Sequence, residues 1–191
     1  MDKENLTNQQ SLEIISKMIT TAKGNVCQGS IHMILWGWVV SIISISHFLF
    51  LKFEIINHPE MLWLLTIPTA GASMYIGFSR GKKAKVTTYL DRLYMWVWMA
   101  FMFTMVLMFF IVFGRWEIVN PMVLALSGYA TFLSGTIIKY KPMIYGAISL
   151  WLWAVVAYYA GPYYGLLVIA AALITGYLIP GYMLQRKSNE S

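Results

Sequence analysis

A chain of 191 residues that is 59% hydrophobic and only 12% charged lacks the polar surface a water-soluble domain needs, since such domains carry about 25% charged residues. Its formal net charge of +6 does not mark a nucleic-acid module, because the basic residues sit in short segments beside apolar runs and no zinc-ligand pairs accompany them. Cys27 is the only cysteine, which excludes an intramolecular disulfide and a thiolate metal cluster. Met1 to Asn8 carries charges but leads into no apolar stretch or cleavage site, so no removable signal peptide is expected.

Residues 1–30 form the only sizeable polar segment. Within it, Leu12, Ile15, Met18 and Ile19 recur at helical spacing, while Glu13, Lys17 and Lys23 fall on other faces. This predicts an amphipathic helix over Gln9 to Lys23, lying on a membrane surface or against a partner. Six apolar spans follow, at about 31–51, 61–78, 93–113, 121–138, 142–160 and 162–180, and residues 182–191 form a polar tail. Backbone groups in hydrocarbon must be satisfied within the segment, so every span is expected to be a helix. The fold class is therefore all-α, a six-helix transmembrane bundle preceded by a surface helix. Pro68 and Gly71 are expected to interrupt the second span. Pro59, Pro121 and Pro162 sit at the expected first turns of the even spans, where proline loses no needed donor. Asn120 is expected to cap the fourth.

Of the 14 Lys and Arg residues, all but Lys52 and Arg115 fall on one side of this arrangement. Cationic short loops stay in the cytoplasm, so both termini are expected inside, in a bacterial inner membrane. The densest basic stretch runs from Arg80 to Arg92, and its Lys82, Lys83 and Lys85 suit anionic lipid head groups.

Small residues recur every fourth position as Ser73, Gly77 and Gly81, as Ser127, Thr131 and Gly135, and as Ala172 and Gly176. Such stripes let helices approach closely in lipid, within one chain or between copies of a homo-oligomer. Trp-x-Trp occurs in each odd span, as Trp36/Trp38, Trp96/Trp98 and Trp151/Trp153, which hints at three related helical hairpins.

No Asp, Glu, Lys or Arg lies deep in a span, which argues against a charge-lined path. His47, near Ser44, is the leading polar candidate for ligand binding or interhelical packing, and Tyr75 and Tyr129 are further hydroxyls of the same kind. Tyr145, Tyr158 and Tyr159 extend that set. Glu54, His58, Glu60 and Glu117 converge at the outer face if the first two hairpins pack together. The three histidines are too dispersed for a metal site. No serine has a base and an acid at recognisable spacing, so neither catalysis nor a cofactor is expected.

The stretches SLEIISKMI, LWGWVV, YLDRLYMWVW and GYLIPGYML resemble a group of small bacterial multi-pass membrane proteins with no assigned activity. The resemblance implies a membrane protein of bacterial type and no reaction. Six spans with cytoplasmic ends also look like the substrate-binding subunits of energy-coupling-factor vitamin transporters, though the first span reads WGWVVSIISIS where that family carries A-x-x-x-A. The expected function is a non-enzymatic scaffold, regulatory or sensing component acting with lipids or another membrane protein. The alternative is a transmembrane subunit of an ATP-driven small-molecule transporter.

Overall fold

The structure, a computed structural model, describes the backbone of residues 8–83, 89–112 and 114–189 and the side chains of residues 30–79, 92–112 and 114–186. Every described element is helical. In chain order they are α1 (Asn8–Lys52), a 3-10 helix (Pro59–Leu65), α2 (Thr66–Lys83), α3 (Tyr89–Ile111), α4 (Trp116–Ile137), α5 (Lys141–Leu173), a π-helical turn (Ile174–Leu178) and α6 (Ile179–Asn189). Five segments are long and apolar enough to cross a membrane: Ser30–Lys52, Pro59–Ser79, Arg92–Ile111, Trp116–Ile137 and the 46-residue Lys141–Arg186.

The last of these does not run straight. Gly161 (φ 72°, ψ 178°) interrupts α5, in a backbone region essentially reserved for glycine. Beyond it, Ser149 meets Thr175 at 2.9 Å and Gly146 abuts Gly176. Residues 30 positions apart along a straight helix lie about 45 Å apart. The chain therefore reverses at Gly161, giving a first limb (141–160) and a second limb (162–173) that continues through the π turn into α6. Pro162 opens the second limb, where its missing N–H costs nothing. The two separate apolar spans read at 142–160 and 162–180 are thus joined by a single-residue corner.

The limbs touch backbone to backbone. A Cβ on Gly146 would lie 2.6 Å from the Gly176 carbonyl oxygen and 3.1 Å from Pro180 Cγ. Pro180 has no N–H to give the Gly176 carbonyl four residues back, and the π turn spans that break. The freed oxygen points at Gly146, a contact of the Cα–H···O kind.

Around this hairpin the other helices assemble in two tiers. α4 makes the broadest packing, along α5, with Gly128 under the Trp151 ring and Gly135 against Ile144. α1 packs on the second limb and α6, with Gly37 against Leu178 and Gly181 against Ile34. The fully buried Leu124, Met143, Leu150, Ala147 and Ala157 fill the centre. α2 leans on α1 and α3 leans on α4, and in each only 6% of the apolar window is buried, against 44% for α4 and 56% for the hairpin.

Several expectations change. The 9–23 segment is helical but continuous with the first span, because no proline falls between Asn8 and Lys52 and Gly24 and Gly29 cost only about 1 kcal/mol each. Pro68 does not interrupt the second span: it is the third residue of α2, inside the first turn, and Gly71 remains helical. α4 starts at Trp116 with Glu117 in its first turn, a favourable place for an anion, so Pro121 is internal rather than initial. α4 ends in a Schellman turn, with Tyr140 N–H donating to the Gly135 carbonyl (2.9 Å), Lys139 N–H to Thr136 (3.2 Å), and Lys139 at φ 54°.

Gly161→Ala forces a side chain into the glycine-only region and is expected to cost about 1–3 kcal/mol. Gly146→Ala drives a methyl into backbone oxygen and is expected to part the limbs. Equilibrium unfolding in mixed micelles measures both, and an unchanged midpoint in either variant contradicts this account of the corner.

Candidate functional site

The polar side chains of the spans are used mainly to tie helices together. Residues two apart on a helix point about 200° from each other, so a Trp-x-Trp pair can reach neighbours on opposite sides. Trp36 Nε1 donates to Ser73 Oγ of α2 (3.3 Å), while Trp38 Nε1 donates to the Tyr182 hydroxyl of α6 (2.9 Å). Trp151 Nε1 donates to the Ala125 carbonyl of α4 (3.1 Å), while Trp153 Nε1 donates to Thr175 Oγ1 of the second limb (3.0 Å). Two of the three pairs thus staple neighbouring helices on both sides. In the third, Trp96 is exposed, and the Trp98 indole N–H is buried without a hydrogen-bond partner.

The four residues predicted as a ligand or packing set do not converge. Ser44 is fully buried and its hydroxyl donates to the Leu166 carbonyl of the second limb at 2.7 Å. His47, one turn further along α1, faces the 3-10 helix instead. Its Nδ1 accepts from Trp63 Nε1 at 2.9 Å, with the rings edge-on. That bond fixes the neutral tautomer with its proton on Nε2. Tyr75 is 74% exposed on α2 and Tyr129 58% exposed on α4. Tyr145, Tyr158 and Tyr159 are exposed as well.

Of the outer acidic cluster, only His58 and Glu60 meet, with Nδ1 2.9 Å from Oε1 at the exposed start of the 3-10 helix. Among the described residues, no group of three His, Cys, Asp or Glu side chains is arranged to hold a metal. Lys82 and Lys83 end α2, and Lys85 lies outside the described residues.

The small-residue stripes divide. Ser127, Thr131 and Gly135 are buried along α4, and Ala172 and Gly176 are buried in the hairpin. On α2, Ser73 bonds to Trp36 and lies 2.6 Å from His32 Nδ1, but Gly77 has open space around it. Gly81 lies in the last turn of α2.

Asn120 was expected to cap α4. It lies inside the helix instead, and its Nδ2 donates to the Pro162 carbonyl at 3.1 Å while sitting over Gly165. This amide holds the second limb just past the corner. The adjacency of Asn and Pro looked like a cap, and only the fold shows the partner 42 residues away.

A buried polar tract runs along the α3–α4 seam. Thr131 Oγ1 donates to the Ser127 carbonyl (2.7 Å) and is 3.4 Å from the Tyr177 hydroxyl of the π turn. The Tyr94 hydroxyl, Trp98 Nε1 and Ser134 Oγ are buried with no partner. On the lipid-facing side of the same seam lies an open groove of about 370 Å³, whose walls include Trp96, Ala100 and Phe101 of α3 and Leu126 and Tyr129 of α4.

Thr175 is the most heavily bonded of these side chains: it contacts Ser149, receives Trp153 and donates back to its own helix. A double-mutant cycle with Trp153→Phe and Thr175→Val is expected to give a coupling of about 0.6 kcal/mol and no more than about 1.7, the range for such bonds inside membranes. Zero coupling in unfolding experiments contradicts the staple. No family model, no curated protein and no solved structure matches the chain.

Proposed function

We propose that this protein is a non-enzymatic scaffold, regulatory or sensing component of a bacterial inner membrane, crossing it six times with both termini in the cytoplasm. The observation that carries the reading is the two-tier packing. The hairpin, α1 and α4 form a filled centre whose polar groups largely bond one another, while α2 and α3 are only 6% buried in their apolar windows. Two thinly packed helices on a rigid centre offer intramembrane surface to other components, whereas a translocating subunit needs a path through its middle. The position of that middle is occupied by Leu124, Met143 and Leu150.

The reversal at Gly161 supports the sixth crossing, since each limb is long enough to traverse about 30 Å of hydrocarbon once the second is continued through the π turn and α6. The charge asymmetry supports the orientation.

Single-cysteine labelling in a Cys27→Ser background tests the topology. Asn57→Cys is expected to react with an impermeant thiol reagent in intact cells and Ser188→Cys only after lysis; the reverse pattern contradicts the orientation. Photo-crosslinkers placed at Gly77 on α2 and Phe110 on α3, in native membranes, test the function. The expected product is one recurrent membrane-protein partner from either helix. A stoichiometric ATPase companion replaces this reading with the transport one.

A further inference from the structure

Tyr129 is a lipid-facing polar side chain near the middle of α4 that the bundle leaves without a hydrogen-bond partner. Its Cα lies about 12 Å from the Ile137 end of α4 and about 20 Å from the Trp116 end. Helical side chains tilt towards the helix N-terminus, which carries the phenol away from the nearer head groups and towards the bilayer centre. It is 58% exposed, and its hydroxyl makes no hydrogen bond among the described residues. Thr104, the other hydroxyl of the groove, is served by its own helix through the Ala100 carbonyl at 2.8 Å. A donor facing hydrocarbon without an acceptor is costly.

The groove around Tyr129 has small-molecule dimensions. Its volume of about 370 Å³ falls within the range of about 300–1,000 Å³ typical of ligand sites. From Leu93 to Thr104 it follows α3 for about 16 Å. Trp96 and Phe101 supply aromatic surface, and Tyr129 supplies a free hydroxyl donor nearer the middle of the span than the Trp96 indole. Phospholipid tails fill such a groove but carry no acceptor, and their ester carbonyls stay near the interface.

We propose that the α3–α4 groove binds a flat, lipid-soluble ring compound bearing a carbonyl, of the prenylated quinone class, with the Tyr129 hydroxyl donating to that carbonyl. The ring lies against Trp96 and Phe101, and the tail lies in the surrounding lipid. The proposal rests on α3 and α4 crossing the bilayer, and not on the scaffold reading.

The test uses the full chain in phosphatidylethanolamine–phosphatidylglycerol nanodiscs, a photoreactive azidobenzoquinone with a short isoprenoid tail, and decylubiquinone as competitor. Saturable, competable labelling of peptides covering 93–104 and 126–133 is expected. Tyr129→Phe keeps the ring and is expected to raise half-saturation about fivefold, the effect of one lost hydrogen bond. Ala100→Trp fills the groove and is expected to remove the saturable labelling, with unchanged helix content by circular dichroism. The proposal is overturned if labelling rises without saturation over all helices including α2, or if Tyr129→Phe labels like the parent.

Discussion

The contact between Gly146 and Gly176 is the constraint on which the remaining packing depends. It sets the two limbs of α5 at backbone distance, and that distance brings Thr175 within reach of both Ser149 and Trp153. A larger residue at Gly146 would displace the carbonyl that Pro180 leaves free, and with it the π turn carrying Tyr177 towards α4, whereas one at Gly176 would collide with Leu150. The weak Cα–H···O contact matters less for its own energy than for the approach it permits. In lipid, that approach replaces the water-driven burial that holds soluble cores together.

From this hairpin outwards, the helices are held by side chains that find backbone acceptors on a neighbour. Ser44 reaches Leu166, Asn120 reaches Pro162, and Trp151 reaches Ala125. Each spends a donor on a carbonyl already engaged in its own helix, which has a second lone pair to offer. The device needs no charge, in keeping with spans that carry none at depth. It stops at α4 and α1: α3 and α2 are attached by fewer such bonds, and the buried hydroxyls and indole of the α3–α4 seam stay unpaired. The two faces of that seam differ accordingly, one with polar groups enclosed and one open to lipid around Tyr129.

The all-helical character and the rough extent of the apolar stretches were legible because hydropathy averages over many residues. Their corners and partners were not. Small residues at four-residue spacing permit close approach without naming a partner, so Gly176 was visible as a packing residue while Gly146, its counterpart 30 positions away, was not. The same spacing at Ser73 and Gly77 leads to one bonded residue and one in open space. The Trp-x-Trp pattern suggests related hairpins, but repetition by itself names no bonding partner. The angle of about 200° between such residues was available from the sequence and would have pointed to bonds on two sides. His47 drew attention as an isolated imidazole, and its partner Trp63 lies in a 3-10 helix that the apolar pattern could not distinguish from α-helix.

The corner at Gly161 also bears on how the protein is made. Between Lys141 and Arg186 the chain contains no charged residue, and the tip itself reads Tyr158-Tyr159-Ala160-Gly161-Pro162-Tyr163-Tyr164. Two limbs joined by so short and uncharged a tip can leave the translocation machinery for the bilayer as one preformed pair, with no ionised group to carry across. These 46 residues would then enter the membrane in a single step and present α1 and α4 with a complete docking surface.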